Sequence, residues 1–300
     1  MASNTTTSSS ARSSRQEELK KLLPQLEARY RARCGRELYE LCESEQKGIY
    51  MVANQVILSG DIVFIEKPLH SQPKRYSPEF LQRPDVQPLW ALISRLSLQH
   101  EDPPPRALEA LQRVADLHAM EQMVTSPKIQ EIWGLCDAHR QGAHVGDLVV
   151  IADLQSVAGK AMNGKRGRVV SEDTSSNSQG GDPGRLGVSI QTNNHTTTKK
   201  SIACANLKTL GGILRTNAFG SDEDSTMLVL YKTLSRINHA CGDAANVFKY
   251  ETNGQAYLIA KKEIQAGDEI LINYLAPQDN LREELQRRYN FVCTCPHHDS

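Results

Sequence analysis

Apolar residues recur along this 300-residue chain with two different periods, and the switches between them mark its organisation. Over residues 16–33, Leu19, Leu22, Leu23, Leu26 and Tyr30 follow a 3.6-residue spacing with Glu, Lys and Arg between them, which predicts an amphipathic helix. Pro24 predicts a kink or a late start within it. From 49 to 67 the period shortens. The runs 49–53, 55–58 and 62–65, with Ser59-Gly60-Asp61 between the last two, read as short strands joined by a glycine turn. Between about 78 and 140 the helical period returns in Phe80-Leu81, in Leu89, Trp90, Leu92, Ile93 and Leu96, in Leu108, Leu111, Val114 and Leu117, and in Ile129, Ile132, Trp133 and Leu135. Three or four helices are expected there, interrupted at Pro103-Pro104-Pro105.

The next 65 or so residues have another texture: Val149-Val150-Ile151, Gly167-Arg168-Val169-Val170, Gly187-Val188-Ser189-Ile190 and Ile202-Ala203, separated by Gly, Asn and Ser. Four or five short strands so spaced predict a small β-barrel over 145–210. The turn Asn163-Gly164-Lys165-Arg166-Gly167 is similar to those entering strands of SH3-like or KOW-like barrels. Residues 171–184 hold almost nothing apolar and predict a mobile hairpin loop. Further on, 227–231 is a short apolar run, 256–260 and 270–274 read as strands about a Gln265-Ala266-Gly267-Asp268-Glu269 turn, and 280–289 predicts a helix with Leu281, Leu285 and Tyr289 on its apolar face.

Charge adds little, because 35 basic and 35 acidic residues cancel, which removes the argument for a polybasic membrane anchor or a nucleic-acid tail. No stretch approaches the ~18 uninterrupted apolar residues of a spanning helix, so a soluble protein with no membrane partner is expected. Residues 1–15 are mostly Ser, Thr and Ala without an apolar core and read as a disordered tail rather than a secretory signal. Seven cysteines, odd in number and unevenly spread, argue for thiols or metal ligands in a reducing compartment, cytoplasm or nucleus.

Three pieces carry the chemistry: Asn238-His239-Ala240-Cys241, then Gly267-Asp268-Glu269-Ile270-Leu271-Ile272-Asn273-Tyr274, then Tyr289-Asn290-Phe291-Val292-Cys293-Thr294-Cys295. In this order they resemble the C-terminal half of a SET-domain lysine methyltransferase, whose patterns are N-H-x-C, G-E-E-apolar-x-x-x-Y and Y-x-F-x-C-x-C. Ala53, Gly60 and Glu66-Lys67-Pro68 match the family's first strands, and Leu214-Arg215-Thr216-Asn217-Ala218-Phe219 looks like the strand that re-enters the fold. The resemblance implies a mixed α+β, β-rich SET fold of the split, SET-and-MYND-like type without the MYND finger. Its N-terminal part would be 16–68, its C-terminal part 211–292 and a post-SET-like segment 293–300, with a helical insert (69–144) and the SH3-like barrel (145–210) between.

The resemblance also implies S-adenosylmethionine as cofactor and the lysine side chain of a protein as acceptor, with the chain working as a monomer. Free lysine, with a pKa of ~10.4, must arrive deprotonated, and a narrow aromatic channel helps by disfavouring the ammonium. Carried over residue by residue, Tyr274 orients the amine and Tyr289 walls the channel, while Gly48, Tyr50, Asn217, Asn238, His239 and Phe291 hold the cofactor. For His239 the backbone is taken to carry the contact. Cys241, Cys293, Cys295 and His298 would bind one structural zinc, His298 standing where the family has a further cysteine.

The chain departs from the family in ways that matter. Gly48-Ile49-Tyr50 stands where the loop usually reads G-x-G, placing a side chain at the backbone's approach to the cofactor. After Cys241, Gly242-Asp243-Ala244-Ala245-Asn246 is two residues longer than the usual C-x-P-N, which predicts a looser knot-like crossing. These departures support an alternative, a catalytically inactive SET scaffold binding a partner through its inserts. A nucleic-acid reading through Lys160, Lys165, Arg166 and Arg168 is weakened by the lack of Phe, Tyr or Trp between 145 and 210.

Overall fold

The protein is described from a computed structural model covering residues 7–33, 37–44, 47–73, 78–84, 86–99, 104, 107, 111, 114, 123–138, 143–173, 184–191, 197–224, 226–275 and 281–294. The chain divides into two compact units: Met1–Lys67 with Arg236–Leu281 and Cys293–Ser300, and Pro68–Ser235 with Arg282–Val292. It is a strand-rich mixture of helices and sheets.

In the first unit the helix Thr7–Ala32 starts inside the segment that composition reads as a tail, and Pro24 does not end it. Ala11, Arg12, Arg15 and Gln16 are good helix formers, so a helix fixed further along by packing extends back through them. Leu23 and Leu26 are buried and Leu19 and Tyr30 partly so, against Ile62, Tyr250, Tyr257 and Ile259 of a sheet. Leu22, expected on that face, is 42% exposed because it falls to the side of the i, i+4, i+7 row that meets the sheet. The Tyr257 hydroxyl donates to Glu27 at 2.7 Å. Burial, aided by that carboxylate, pushes the phenol's pKa up to about 12. Past the helix, Arg33 pairs with the buried Asp61, which also accepts from the Leu58 amide at 3.0 Å and so closes the turn before the strand Ile62–Glu66.

That sheet orders its strands Asn238–His239, Leu271–Ile272, Val247–Thr252, Gln255–Ala260 and Ile62–Glu66. Val247–Thr252 and Gln255–Ala260 form an antiparallel hairpin through Asn253 and Gly254, both in the left-handed region that a tight hairpin turn demands. The sequence reading does not single out Val247–Thr252, although Phe248 and Tyr250 alternate there with Lys249 and Glu251 at strand spacing. The Lys249 and Glu251 side chains satisfy each other at 3.0 Å while 8% and 5% exposed. A separate hairpin pairs Tyr39–Ser44 with Gly48–Ala53. Its first strand is not singled out either, being mostly polar with Leu41 48% exposed.

In the second unit, five antiparallel strands follow the order Thr197–Ala203, Arg185–Gln191, Arg166–Asp173, Leu148–Ile151 and Leu207–Thr209. After the single turn Cys204–Asn206 the chain leaves Thr197–Ala203, at one edge, and Leu207–Thr209 pairs with Leu148–Ile151 at the other. The alternating apolar residues of these strands make a core of Val149, Ile151, Val169, Val188, Ile190 and Leu207. The helical stretch contributes Pro78–Leu81, Gln87–Leu98 and Ile129–Trp133. Most of the helix expected over 108–117 and of the loop expected over 171–184 lies outside the described residues.

Where a re-entering strand is expected, Leu210–Asn217 is a helix, followed by the two-residue strand Phe219–Gly220. Thr209 caps it by accepting from the Gly212 amide at 2.9 Å, and the buried Asp137 accepts from the Thr209 amide at 2.8 Å. Gly212 is required, since a Cβ there would lie 2.1 Å from the Asp137 carboxylate. Leu210, Ile213 and Leu214 fall on the helix's buried side against Met123, Ile132 and Leu135, so the run is apolar at helical rather than strand spacing.

Candidate functional site

Asn238–His239 lies parallel to Leu271–Ile272, and Val247 pairs with Ile272 from the other side, so one short segment runs between two others. The strand expected over 270–274 shrinks to two residues because its flanks bond elsewhere. The Ile270 amide donates to Met51 at 2.8 Å, Gly267 to Ala53 at 2.7 Å and Ala53 to Asp268 at 2.9 Å. Tyr274, at the end of this segment, is held at two points. Its amide donates to His239 Nδ1 at 3.0 Å and its hydroxyl to the Ile237 carbonyl at 2.6 Å. The His239 and Tyr274 rings are 5.1 Å apart, tilted by 49°.

Glu269, which the motif contains but which spacing alone does not mark out, is the hub of the crossing. Its carboxylate accepts from Asn238 Nδ2 at 3.0 Å and pairs with Lys47 Nζ at 2.5 Å. This contact raises the Lys47 pKa above its ordinary value. Lys47 also stands 5.2 Å above the Tyr50 ring, so the departure at position 50 gives the loop a cation–π contact. Gly48 has φ +65°, and among the described residues nothing lies within 4 Å of where a Cβ would be, so its turn leaves room there for a ligand's close approach.

The longer stretch after Cys241 does not loosen the crossing. Gly242–Ala244 winds into a single 3-10 turn that takes up the extra residues. Asn246 then fastens the next chain segment: its Nδ2 donates to the Glu269 carbonyl at 2.8 Å and its Oδ1 accepts from the Leu271 amide at 2.8 Å. A side-chain amide can replace two ladder bonds in this way, a role that the length of 242–246 alone does not reveal.

Behind His239 lie two buried thiols. Cys241 Sγ is 3.0 Å from His239 Nε2 and 3.8 Å from Cys293 Sγ. Sulfurs ~2.3 Å from a tetrahedral zinc stand about 3.8 Å from one another, so the two thiols are already at metal-site spacing. Cys295 and His298 lie outside the described residues.

Three of the expected cofactor and channel residues belong to the second unit. Asn217 ends the helix Leu210–Asn217, and its amide nitrogen donates to the Cys136 and Ile213 carbonyls at 2.6 and 2.7 Å. Tyr289 closes the helix Leu281–Tyr289, with its ring 6.4 Å from that of Phe291, and burial pushes its phenol's pKa up. Of Lys160, Lys165, Arg166 and Arg168, all exposed, Arg166 stacks 6.0 Å from the Trp133 ring and Arg168 donates to the Gly146 carbonyl at 2.7 Å.

The family model described as the SET domain matches residues 48–275. No curated protein sequence matches the chain. Solved structures similar to it include the SET domain of a protein named LSMT, bound to lysine and AdoHcy, at a TM-score of 0.34 and 12% identity, covering 92% of this chain and 58% of that one. The family match takes in the open glycine turn, the Asn238–His239 strand and the crossing that ends at Tyr274, and it spans more than half of the sequence: the chain belongs to the SET-domain family.

Proposed function

We propose that this chain is an S-adenosylmethionine-dependent protein-lysine N-methyltransferase of the split-SET type, with 69–144 as a helical insert and 145–210 as an SH3-like insert. The observation that carries the reading is the anchoring of Tyr274. With its proton given to the Ile237 carbonyl at 2.6 Å, the phenol oxygen offers lone pairs only. It therefore accepts from the N–H of an incoming amine and holds the nitrogen in line, which is the main demand of an in-line displacement. S-adenosylmethionine supplies the sulfonium methyl that this nitrogen takes. Asn238, the open turn at Gly48, Tyr50 and His239 are assigned to its binding; Asn217 and Phe291 are assigned to the cofactor and Tyr289 to the lysine channel on the motif resemblance alone. Cys241, Cys293, Cys295 and His298 are assigned to one zinc ion, and the 3.8 Å sulfur separation supports that assignment.

The test is transfer of a radiolabelled methyl group to proteins of a cell extract, paired with calorimetry of S-adenosylmethionine binding. Tyr274→Phe is expected to cut transfer about 10²–10³-fold while cofactor binding persists. Absence of heat with both the cofactor and its demethylated product would overturn the reading in favour of an inactive scaffold. The commitment of the Asn217 amide nitrogen to two carbonyls is the observation that favours this second reading.

A further inference from the structure

We infer that His239 is a positioning residue in its Nε2–H tautomer, joining the Cys241 sulfur to the backbone of Tyr274, and is not itself a metal ligand. A backbone N–H can only donate, so the Tyr274 amide, 3.0 Å from Nδ1, requires a lone pair on that nitrogen. A neutral imidazole carries one proton, which must then sit on Nε2, and Nε2 faces Cys241 Sγ at 3.0 Å. The Cys241 sulfur is therefore the acceptor of the Nε2 proton. A doubly protonated ring would set two N–H groups face to face at Tyr274.

The same proton count excludes His239 from a metal's coordination sphere, although its ring nitrogen lies within 4.8 Å of both the Cys241 and Cys293 sulfurs. Binding through Nε2 would leave the ring no proton on either nitrogen while the Tyr274 amide still points at Nδ1. The ring is therefore a rigid strut: sulfur on one side, the backbone of Tyr274 on the other. Because the Tyr274 hydroxyl is anchored on Ile237, two residues before His239, the segment 237–239 grips the tyrosine at both ends. A change at the Cys241 sulfur is thus felt at Tyr274. Only the description of this tyrosine as the amine-orienting group rests on the proposed activity; the tautomer and the link do not.

The experiment uses the full chain labelled with 15N in histidine and in the backbone. Long-range 1H–15N spectra of the metal-free protein, with the His239 signals assigned by their loss in His239→Asn, are expected to show a proton on Nε2 and a bare Nδ1. Loading with 113Cd is expected to give no cadmium coupling to either His239 nitrogen and to shift the Tyr274 amide resonance. In His239→Asn the Asn oxygen can still accept the Tyr274 N–H but cannot reach the sulfur, so most of the cadmium-induced shift should disappear. A proton on Nδ1, coupling of cadmium to His239, or an undiminished shift in His239→Asn overturns the inference. Should cadmium not bind, the zinc assignment fails and the metal-free spectrum alone decides the tautomer. Methyl transfer is measured separately, so its absence would overturn the proposed activity without touching these readouts.

Discussion

The five-stranded sheet of the second unit and the crossing of the first solve the same problem, holding strands together, by opposite means. In the sheet, four of the five strands are four to eight residues long, each of the first three in sequence is the neighbour of the next, and alternate side chains build an aliphatic core. In the crossing, the Asn238–His239 and Leu271–Ile272 strands are two residues long and the joins are polar side chains reaching far along the chain. Asn238 meets Glu269 across 31 positions, Tyr274 meets His239 across 35, and Lys47 meets Glu269 across 222. Local pairing with apolar burial makes a sheet tolerant of its surface. Distant pairing through hydrogen bonds makes a site in which each polar group has a fixed task, and few residues can be exchanged.

Core truncation should break the sheet and spare the crossing. Leu207 is fully buried in the last strand of the sheet. Leu207→Ala is expected to cost about 2–5 kcal/mol, from lost transfer energy and the cavity left behind. Urea unfolding monitored by hydrogen exchange checks this: amides of 148–209 should lose protection while those of 238–274 keep theirs. Equal loss in both regions would erase the distinction.

The converse substitution is Asn246→Ala, which removes few apolar contacts but strands the Glu269 carbonyl and the Leu271 amide. Leaving such buried groups without partners is expected to cost about 1–3 kcal/mol. Protection should now fall at 269–274 and hold in the sheet. Asn246→Asp separates the two bonds, because it keeps the acceptor for the Leu271 amide but sets a buried carboxylate oxygen against the Glu269 carbonyl; it should cost at least as much as Asn246→Ala, with the added loss of protection at 269.

What the sequence revealed divides along the same line. The sheet's strands were legible because short runs rich in β-branched residues, as at 149–151 and 187–190, lie between glycine, asparagine and serine clusters. The site was legible only through its motif. No periodicity leads from His239 to Tyr274, and the reading that left the imidazole without a task missed the bond it accepts from the Tyr274 amide. Strands without a contiguous apolar run were missed: Val247–Thr252, where Phe248 and Tyr250 alternate with the paired Lys249 and Glu251, and Tyr39–Ser44, which is mostly polar. The helix at Leu210–Asn217 was legible in the i, i+3, i+4 spacing of Leu210, Ile213 and Leu214, which the motif-led expectation of a strand passed over. Glu269 was visible within G-D-E, yet its link to Lys47 depends on the hairpin Tyr39–Ser44/Gly48–Ala53 that the apolar pattern conceals.

Raising the pH tests the contact between the first unit's helix and its sheet, which mixes both styles of construction. Tyr257 packs in the apolar cluster while its hydroxyl donates to Glu27. Its pKa in the folded state is pushed up to about 12, against ~10 in the unfolded chain. Between these values the unfolded chain has released the proton and the folded one retains it, so stability falls as pH rises through that window. Unfolding titrations are expected to show the decline in the wild type and a flatter profile in Tyr257→Phe; an identical slope in both would assign the alkaline sensitivity elsewhere.

The smallest effect is expected at the rim of the crossing, where the polar mode of construction meets solvent. Lys47 pairs with Glu269 at 2.5 Å, but the lysine side chain is 51% exposed, so water screens the attraction. Lys47→Met keeps the aliphatic stem and should cost only about 0.2–1 kcal/mol at low salt. If the ion pair is what tethers the loop, the difference from wild type should shrink toward zero in ~1 M salt, where the screening length is about 3 Å. A difference that survives high salt points instead to the Tyr50 ring beneath the ammonium, and Tyr50→Leu would then reproduce it. A cost well above 2 kcal/mol, insensitive to both salt and Tyr50→Leu, would mean that Lys47 is built into the crossing as firmly as Asn246, and the gradient from buried amide bonds to a screened outer pair would have to be given up.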